Sequence, residues 1–198
     1  MLGRNGCGKS TLLRTLASLQ PALAGSFVVN STATTRPIAV VLTDKLLMDT
    51  TTVYDVVAMG RYPYTSFLGR LTDEDNRWID EALQAVGLDQ LDGGSARPIK
   101  GLSDGELARV MIAKALAQQS PIILLDEPTA HLDVPNRRMI MKLLQRLAHE
   151  QRKTILISTH ELDLAMEMTD RILLLQHDGL LLDTPANMQT AIQQAFNI

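Results

Sequence analysis

The residues Gly3-Arg4-Asn5-Gly6-Cys7-Gly8-Lys9-Ser10-Thr11 satisfy the spacing G-x-x-x-x-G-K-[ST], which holds phosphate. Its glycines let backbone N–H groups curl around the α and β phosphates, Lys9 reaches the β and γ oxygens, and the Ser10 hydroxyl ligates Mg2+. The run Thr11 to Leu16 reads as the helix whose positive N-terminus faces the anion. Further along, Ile122-Ile123-Leu124-Leu125-Asp126-Glu127 is an apolar strand ending in two carboxylates, at the edge where open α/β sheets bind ligands. Asp126 is placed to hold Mg2+, directly or through water, and Glu127 to take a proton from an attacking water. Either acid alone reads equally well as a helix cap or a solvated turn; beside a phosphate loop the pair reads as a site. Ser158-Thr159-His160-Glu161 ends another strand, where the His160 imidazole can donate to a γ-phosphate oxygen. In Leu102-Ser103-Asp104-Gly105-Glu106, Ser103 and Glu106 form a capping box, S-x-x-E. A helix N-terminus with a hydroxyl and a flexible Gly105 is also a second phosphate site, and both readings stand.

These side chains need a frame. Short apolar runs at Ile38 to Leu42, Ile122 to Leu125, Thr154 to Ile157 and Ile172 to Leu175 have the length and β-branched content of strands buried on both faces. Amphipathic helices alternate with them. One follows Asp133-Val134-Pro135 and places Met139, Ile140, Leu143, Leu144 and Leu147 on one face, with Pro135 in its first turn. Another follows Thr72, with Trp78, Ile79, Ala82, Leu83 and Val86 apolar and Gly87 as its stop. The alternation predicts an α/β fold around a mostly parallel sheet. Between about Thr50 and Gln118 no strand pattern appears, so residues 50–118 read as a helical subdomain inserted into a core of residues 1–49 and 119–198.

Length and composition narrow the function classes. At 198 residues the chain fits a single domain. A net charge of −3 gives no nucleic-acid surface. No apolar run reaches the ~18 residues of a membrane span. The lone cysteine, Cys7, cannot form an internal disulfide.

The ordered set GRNGCGKST, LSDGE, IILLDEPTAHLD and ISTHE resembles the nucleotide-binding subunit of an ABC transporter, over nearly the whole chain. That resemblance implies a P-loop NTPase fold and ATP with Mg2+ as cofactors. Gly3, Asn5, Gly6, Cys7, Gly8, Lys9, Ser10 and Thr11 would cradle phosphate, with Ser10 and Asp126 on the metal. Glu127 would be the general base and His160 the γ-phosphate sensor. Ser103 and Gly105 would contact the γ-phosphate bound by an opposite subunit, in a homodimer that sandwiches two ATP. Ala130-His131-Leu132-Asp133 matches the loop that communicates across that dimer, and the helical subdomain would dock on integral membrane permease subunits. A substrate-binding protein would be an indirect partner and the location the inner face of the cell membrane. Within the family, Val53 to Tyr64, with Gly60-Arg61-Tyr62-Pro63, resembles importers of iron-siderophore, haem and cobalamin. Tyr62, Tyr64 and Phe67 then read either as packing or as a permease docking patch. Rival readings are a soluble ABC protein outside transport and a nucleotide-binding remnant with impaired hydrolysis.

Three features depart from the family pattern. Asp44 stands where a glutamine usually reaches the metal and the water; a carboxylate still ligates Mg2+ but cannot donate a hydrogen bond. Asp104 replaces a signature glycine, which suits a helix N-terminus yet brings negative charge near a partner's phosphate. The phosphate loop begins at residue 3, which predicts that the usual N-terminal strands and the adenine-stacking aromatic are lacking.

Overall fold

The computed structural model describes residues 1–4, 6–30, 36–42, 51–66, 69–176 and 179–196; Asn5, Asp44 and Phe67 lie outside them. The four apolar runs are strands: β1 (Ile38–Val41), β2 (Ile122–Asp126), β3 (Thr154–Ser158) and β4 (Ile172–Gln176). β1, β2 and β3 form a parallel sheet in that order, with Val40 opposite Leu124 and Leu124 opposite Leu156. Met1 and Leu2, too few to show a period, stand between β3 and β4. The Met1 amine donates to Ile157 O and Thr159 N donates to Met1 O. On the other side Leu2 N donates to Leu173 O and Leu175 N to Leu2 O, both at 2.8 Å.

β4 is paired with β5 (Gly179–Asp183), an antiparallel partner that the sequence reading missed because Gly-Leu-Leu-Leu-Asp shows no alternation and no β-branched residue. Leu180, Leu181 and Leu182 are exposed. The helices α1 (Lys9–Leu16), α5 (Val134–Glu150), α6 (Leu162–Met168) and α7 (Pro185–Phe196) flank the strands. Residues 51–118 hold α2 (Val53–Ala58), a 3-10 helix (Met59–Tyr64), α3 (Asp73–Ala85), a short 3-10 turn (Gly94–Ala96) and α4 (Asp104–Ala117). One continuous apolar cluster joins these helices to the sheet, running from Val56, Ile79 and Val110 to Val41, Ile123 and Leu144. On α5 the buried face holds Ile140, Leu143, Leu144 and Leu147 as the period predicts, but Met139 is 51% exposed and Met141 is buried instead. On α3, Trp78 is half-buried beneath the Arg77 guanidinium, while Ile79, Ala82 and Leu83 face the core.

The Gly60 to Tyr64 stretch is built into α4. A Cβ on Gly60 would lie 2.2 Å from Lys114 O, so only glycine permits that approach. Arg61, buried, donates from Nε to Asp75 at 2.8 Å and from Nη1 to Ala117 O at 2.8 Å, and stacks over the Tyr64 ring. Tyr64 donates its hydroxyl to Gln118 O. Two terminal carbonyls of the α4 region, orphaned by helix geometry, are thus satisfied from one short segment. Packing therefore accounts for Gly60, Arg61 and Tyr64. Tyr62 is the most exposed aromatic of the group, at 54%, with Tyr64 at 38%.

Three helices in this region start with full capping boxes: Thr52 with Asp55, Thr72 with Asp75, and Ser103 with Glu106. The Thr52 hydroxyl and N–H hold the Asp55 pKa below its ordinary 3.8. The Ser103 N–H and hydroxyl hold Glu106 below 4.5. At Asp75 burial pushes upward, and the Thr72 hydrogen bonds together with Arg61 outweigh it, so the net direction is down. Carboxylates depressed in the folded state contribute stability above their unfolded pKa that is lost as pH falls through the folded one. Helix content followed by circular dichroism is expected to hold to about pH 4.5 and then fall. Ser103→Ala should cost about 1 kcal/mol at neutral pH.

Candidate active site

The phosphate loop leaves Leu2 from the middle of the strands and closes on α1. Gly6 and Gly8 have φ of 80° and 97°, in the left-handed region where a side chain is strained. Gly8 is the N-cap of α1; no side chain caps this helix and its first turn carries no acid. The N–H groups of that turn, Lys9, Ser10 and Thr11 among them, are therefore open to an anion. Ser10 and Thr11 are exposed there and Cys7 is half-buried. Lys9 is buried, and its ammonium donates to Gly3 O at 2.9 Å and Arg4 O at 3.3 Å. An ammonium has three donors, so one N–H beyond those two remains for a ligand oxygen.

The parallel register sets Asp126 opposite Ser158 at the ends of β2 and β3. Ser158, fully buried, donates its hydroxyl to Asp126 Oδ1 at 2.5 Å and accepts from Glu127 N at 3.0 Å. One hydroxyl thereby orients both acidic residues. Glu127 has φ of 45°, a left-handed backbone for a residue with a Cβ. Such strain costs on the order of 1–3 kcal/mol and collects at functional sites. The turn brings Glu127 Oε1 to 3.6 Å from His160 Nδ1. The candidate base and the candidate γ-phosphate donor, 33 positions apart in the chain, therefore meet.

The sequence reading named Ser158 only as a strand end; its bond to Asp126 depends on the β2–β3 register and has no local signal. It also passed over Thr129 and Arg137, which converge on Glu161. Ser103 hydrogen-bonds within its own turn, to Glu106, and Asp104 is exposed beside it. Gly105 is buried against Asn136 of α5. The capping-box reading of Ser103 thus holds within one chain. A cavity of about 510 Å³ between β3 and β4, lined by Ile155, Ile157, Met168 and Ile172, includes none of residues 3–11 and is separate from this site. Among the described residues no group of three or more acids, histidines and cysteines could hold a metal. Cys7 gives a direct probe of the loop: ATP is expected to slow its alkylation at least about tenfold, read by mass spectrometry with and without nucleotide.

A family model described as ABC transporter matches residues 1–130. The iron(3+)-hydroxamate import ATP-binding protein FhuC of Bacillus subtilis is 39% identical over 187 residues, covering 89% of this chain and 67% of that protein. The cobalamin import ATP-binding protein BtuD of Halobacterium salinarum is 38% identical over 194 residues, covering 94% of this chain and 47% of that protein. The chain thus spans between about half and two thirds of the length of these curated relatives. Among solved structures, a metal-chelate type ABC transporter in an inward-facing conformation superposes with a TM-score of 0.88 at 29% identity, over 100% of this chain and 76% of that one. The ATP-binding cassette MJ0796, dimeric and bound to ADP and Pi, superposes with a TM-score of 0.71 at 27% identity, over 93% of this chain and 83% of that one.

Proposed function

Because the chain belongs to the ABC transporter family and has the fold of its ATP-binding cassettes, we propose that it binds and hydrolyses ATP to power import of an iron chelate or cobalamin. The observation that carries this reading is the approach of Glu127 and His160 to 3.6 Å, beside an Asp126 oriented by Ser158, in a chain whose α1 N-terminus has no side-chain cap and is open to an anion. ATP phosphates lie against the N–H groups of residues 6–11, with Lys9 on the β and γ oxygens. Glu127 takes a proton from water as its oxygen attacks the γ-phosphorus. The bond to the β–γ bridging oxygen breaks, and ADP departs with that electron pair. His160 donates to a γ oxygen and holds the phosphoryl group in line.

Hard oxygen donors suit Mg2+, which takes one or two carboxylates plus substrate phosphates rather than an all-protein cage. Ser10 and Asp126 fit that set, and Asp44 would join them. When bound, the ion neutralises phosphate charge. Ser103 and Gly105 of a second copy complete the γ-phosphate site, so the working unit is a homodimer with two ATP between its subunits. Dimerisation is supported by the MJ0796 cassette, and transport by the import proteins named above. Permease subunits take the exposed side of the helical region near Tyr62, placing the chain at the inner face of the membrane. A substrate-binding protein would act further upstream. No described helix is long and apolar enough to cross a membrane.

Phosphate release from Mg2+-ATP by the purified chain tests the chemistry. Lys9→Ala is expected to lose nucleotide binding and activity together. ATP binding without measurable turnover would instead favour the remnant with impaired hydrolysis. Uptake of a ferric hydroxamate against cobalamin, in vesicles carrying the chain and its permease, decides the cargo; uptake of neither would sink the import reading.

A further inference from the structure

Glu161 follows His160, yet its side chain is committed elsewhere. Thr129, buried in the turn after β2, donates its hydroxyl to Glu161 Oε1 at 2.9 Å. Arg137 Nη1 lies 3.3 Å from Glu161 Oε2, with the carboxylate side chain 13% exposed. From the same guanidinium, Nε donates to Leu132 O at 2.5 Å. The turn between is compact, since Ala130 N donates to Glu127 O and Leu132 N to Thr129 O. One carboxylate therefore grips the segment from Glu127 to Asp133 at two points, through a hydroxyl and through an arginine that holds the segment's own backbone. Glu161 is itself fixed by its N–H to the Thr159 hydroxyl at 3.0 Å.

We propose that Glu161 is a positioning residue that joins the His160 loop and the Glu127-to-Asp133 turn into one unit. The spacing of base and γ-phosphate donor is then set together with the pose of Ala130-His131-Leu132-Asp133 toward a second copy. A charge-assisted fork of this kind is stiff, and two contacts fix orientation as well as distance. Contact of His160 with nucleotide is thereby transmitted to residues 130–133. This rests on the ATPase reading for its consequence and on the hydrogen bonds alone for the linkage.

The test uses the purified chain with Glu161→Ala, Glu161→Gln and Thr129→Val. Glutamine keeps a partner for the Thr129 hydroxyl and loses the charge pairing; Thr129→Val does the reverse. In Glu161→Ala, kcat is expected to fall about tenfold while affinity for a fluorescent ATP analogue stays within about twofold. The ATP dependence of the rate should lose cooperativity. Glu161→Gln and Thr129→Val should fall between, and adding Thr129→Val to Glu161→Ala should slow the enzyme no further. Loss of kcat, affinity and melting temperature together, or additive losses in the double variant, would overturn the proposal. Hydrogen exchange on the nucleotide-free chain is independent of hydrolysis. There, Glu161→Ala is expected to speed amides 129–133 about tenfold with α5 unchanged. Equal exchange in both proteins would overturn the linkage whatever the ATPase result, whereas changed exchange in a chain without turnover would count against the ATPase reading alone.

Discussion

Glu127→Gln is expected to slow ATP hydrolysis by roughly 10²–10⁴-fold, the range general-base catalysis supplies, while ATP binding changes little. Glutamine has nearly the same shape and keeps a hydrogen-bonding oxygen toward His160, but it cannot take a proton from water. The backbone at this position is left-handed, and its N–H is held by Ser158. The substitution therefore leaves the scaffold where it was. With binding intact and hydrolysis stalled, the two-copy complex proposed above should accumulate in ATP, visible as a mass shift in light scattering after chromatography. Phosphate release and equilibrium nucleotide binding, measured on the same preparation, separate the two effects. Turnover at the unaltered rate would remove Glu127 from the chemistry.

Arg61→Ala is expected to have the largest effect on stability. The Arg61 and Asp75 side chains are 8% and 7% exposed, and their contact is 2.8 Å. Breaking a buried pair by deleting one partner typically costs about 3–5 kcal/mol, because the remaining charge stays buried. The Thr72 N–H and hydroxyl still serve Asp75, at 2.9 and 2.7 Å, which places the expected loss near 3 kcal/mol. For a chain of this size that is roughly 6–12 °C in melting temperature. Lysine should recover only part of it, since a single ammonium cannot reproduce the fork to Asp75 and Ala117 O. Arg61→Leu combined with Asp75→Asn should recover more, because it removes both charges and keeps a cap for Thr72. Urea unfolding of the four proteins tests the order. A loss below about 1 kcal/mol in Arg61→Ala would mean that the guanidinium contributes only as a surface pair does.

Legibility followed sequence distance. The phosphate loop, the helices that follow Thr72 and Asp133, the capping box at Ser103, and the acids at the end of β2 are written in neighbouring residues, and the structure places those elements where their local patterns say. Met139 and Met141 show how a period blurs at the margin of a face, since both lie within a turn of Ile140 and packing chose the second. What positions the site was not legible. Ser158 meets Asp126 across 32 positions because two strands pair in one register, and a shift of that register would separate them. Arg61 reaches Ala117 across 56 positions because the 3-10 helix packs against the end of α4. The Gly60-to-Tyr64 stretch, which reads from sequence as packing or docking, also holds two carbonyls at the end of α4.

Met1 and Leu2 have a consequence beyond feeding the loop. They are a seam: hydrogen bonds on one side stitch them to β3 and its end, and hydrogen bonds on the other stitch them to β4. The same two residues run straight into the loop whose N–H groups are open to an anion. An anion bound at that loop would press on residues that are hydrogen-bonded to both β3 and β4.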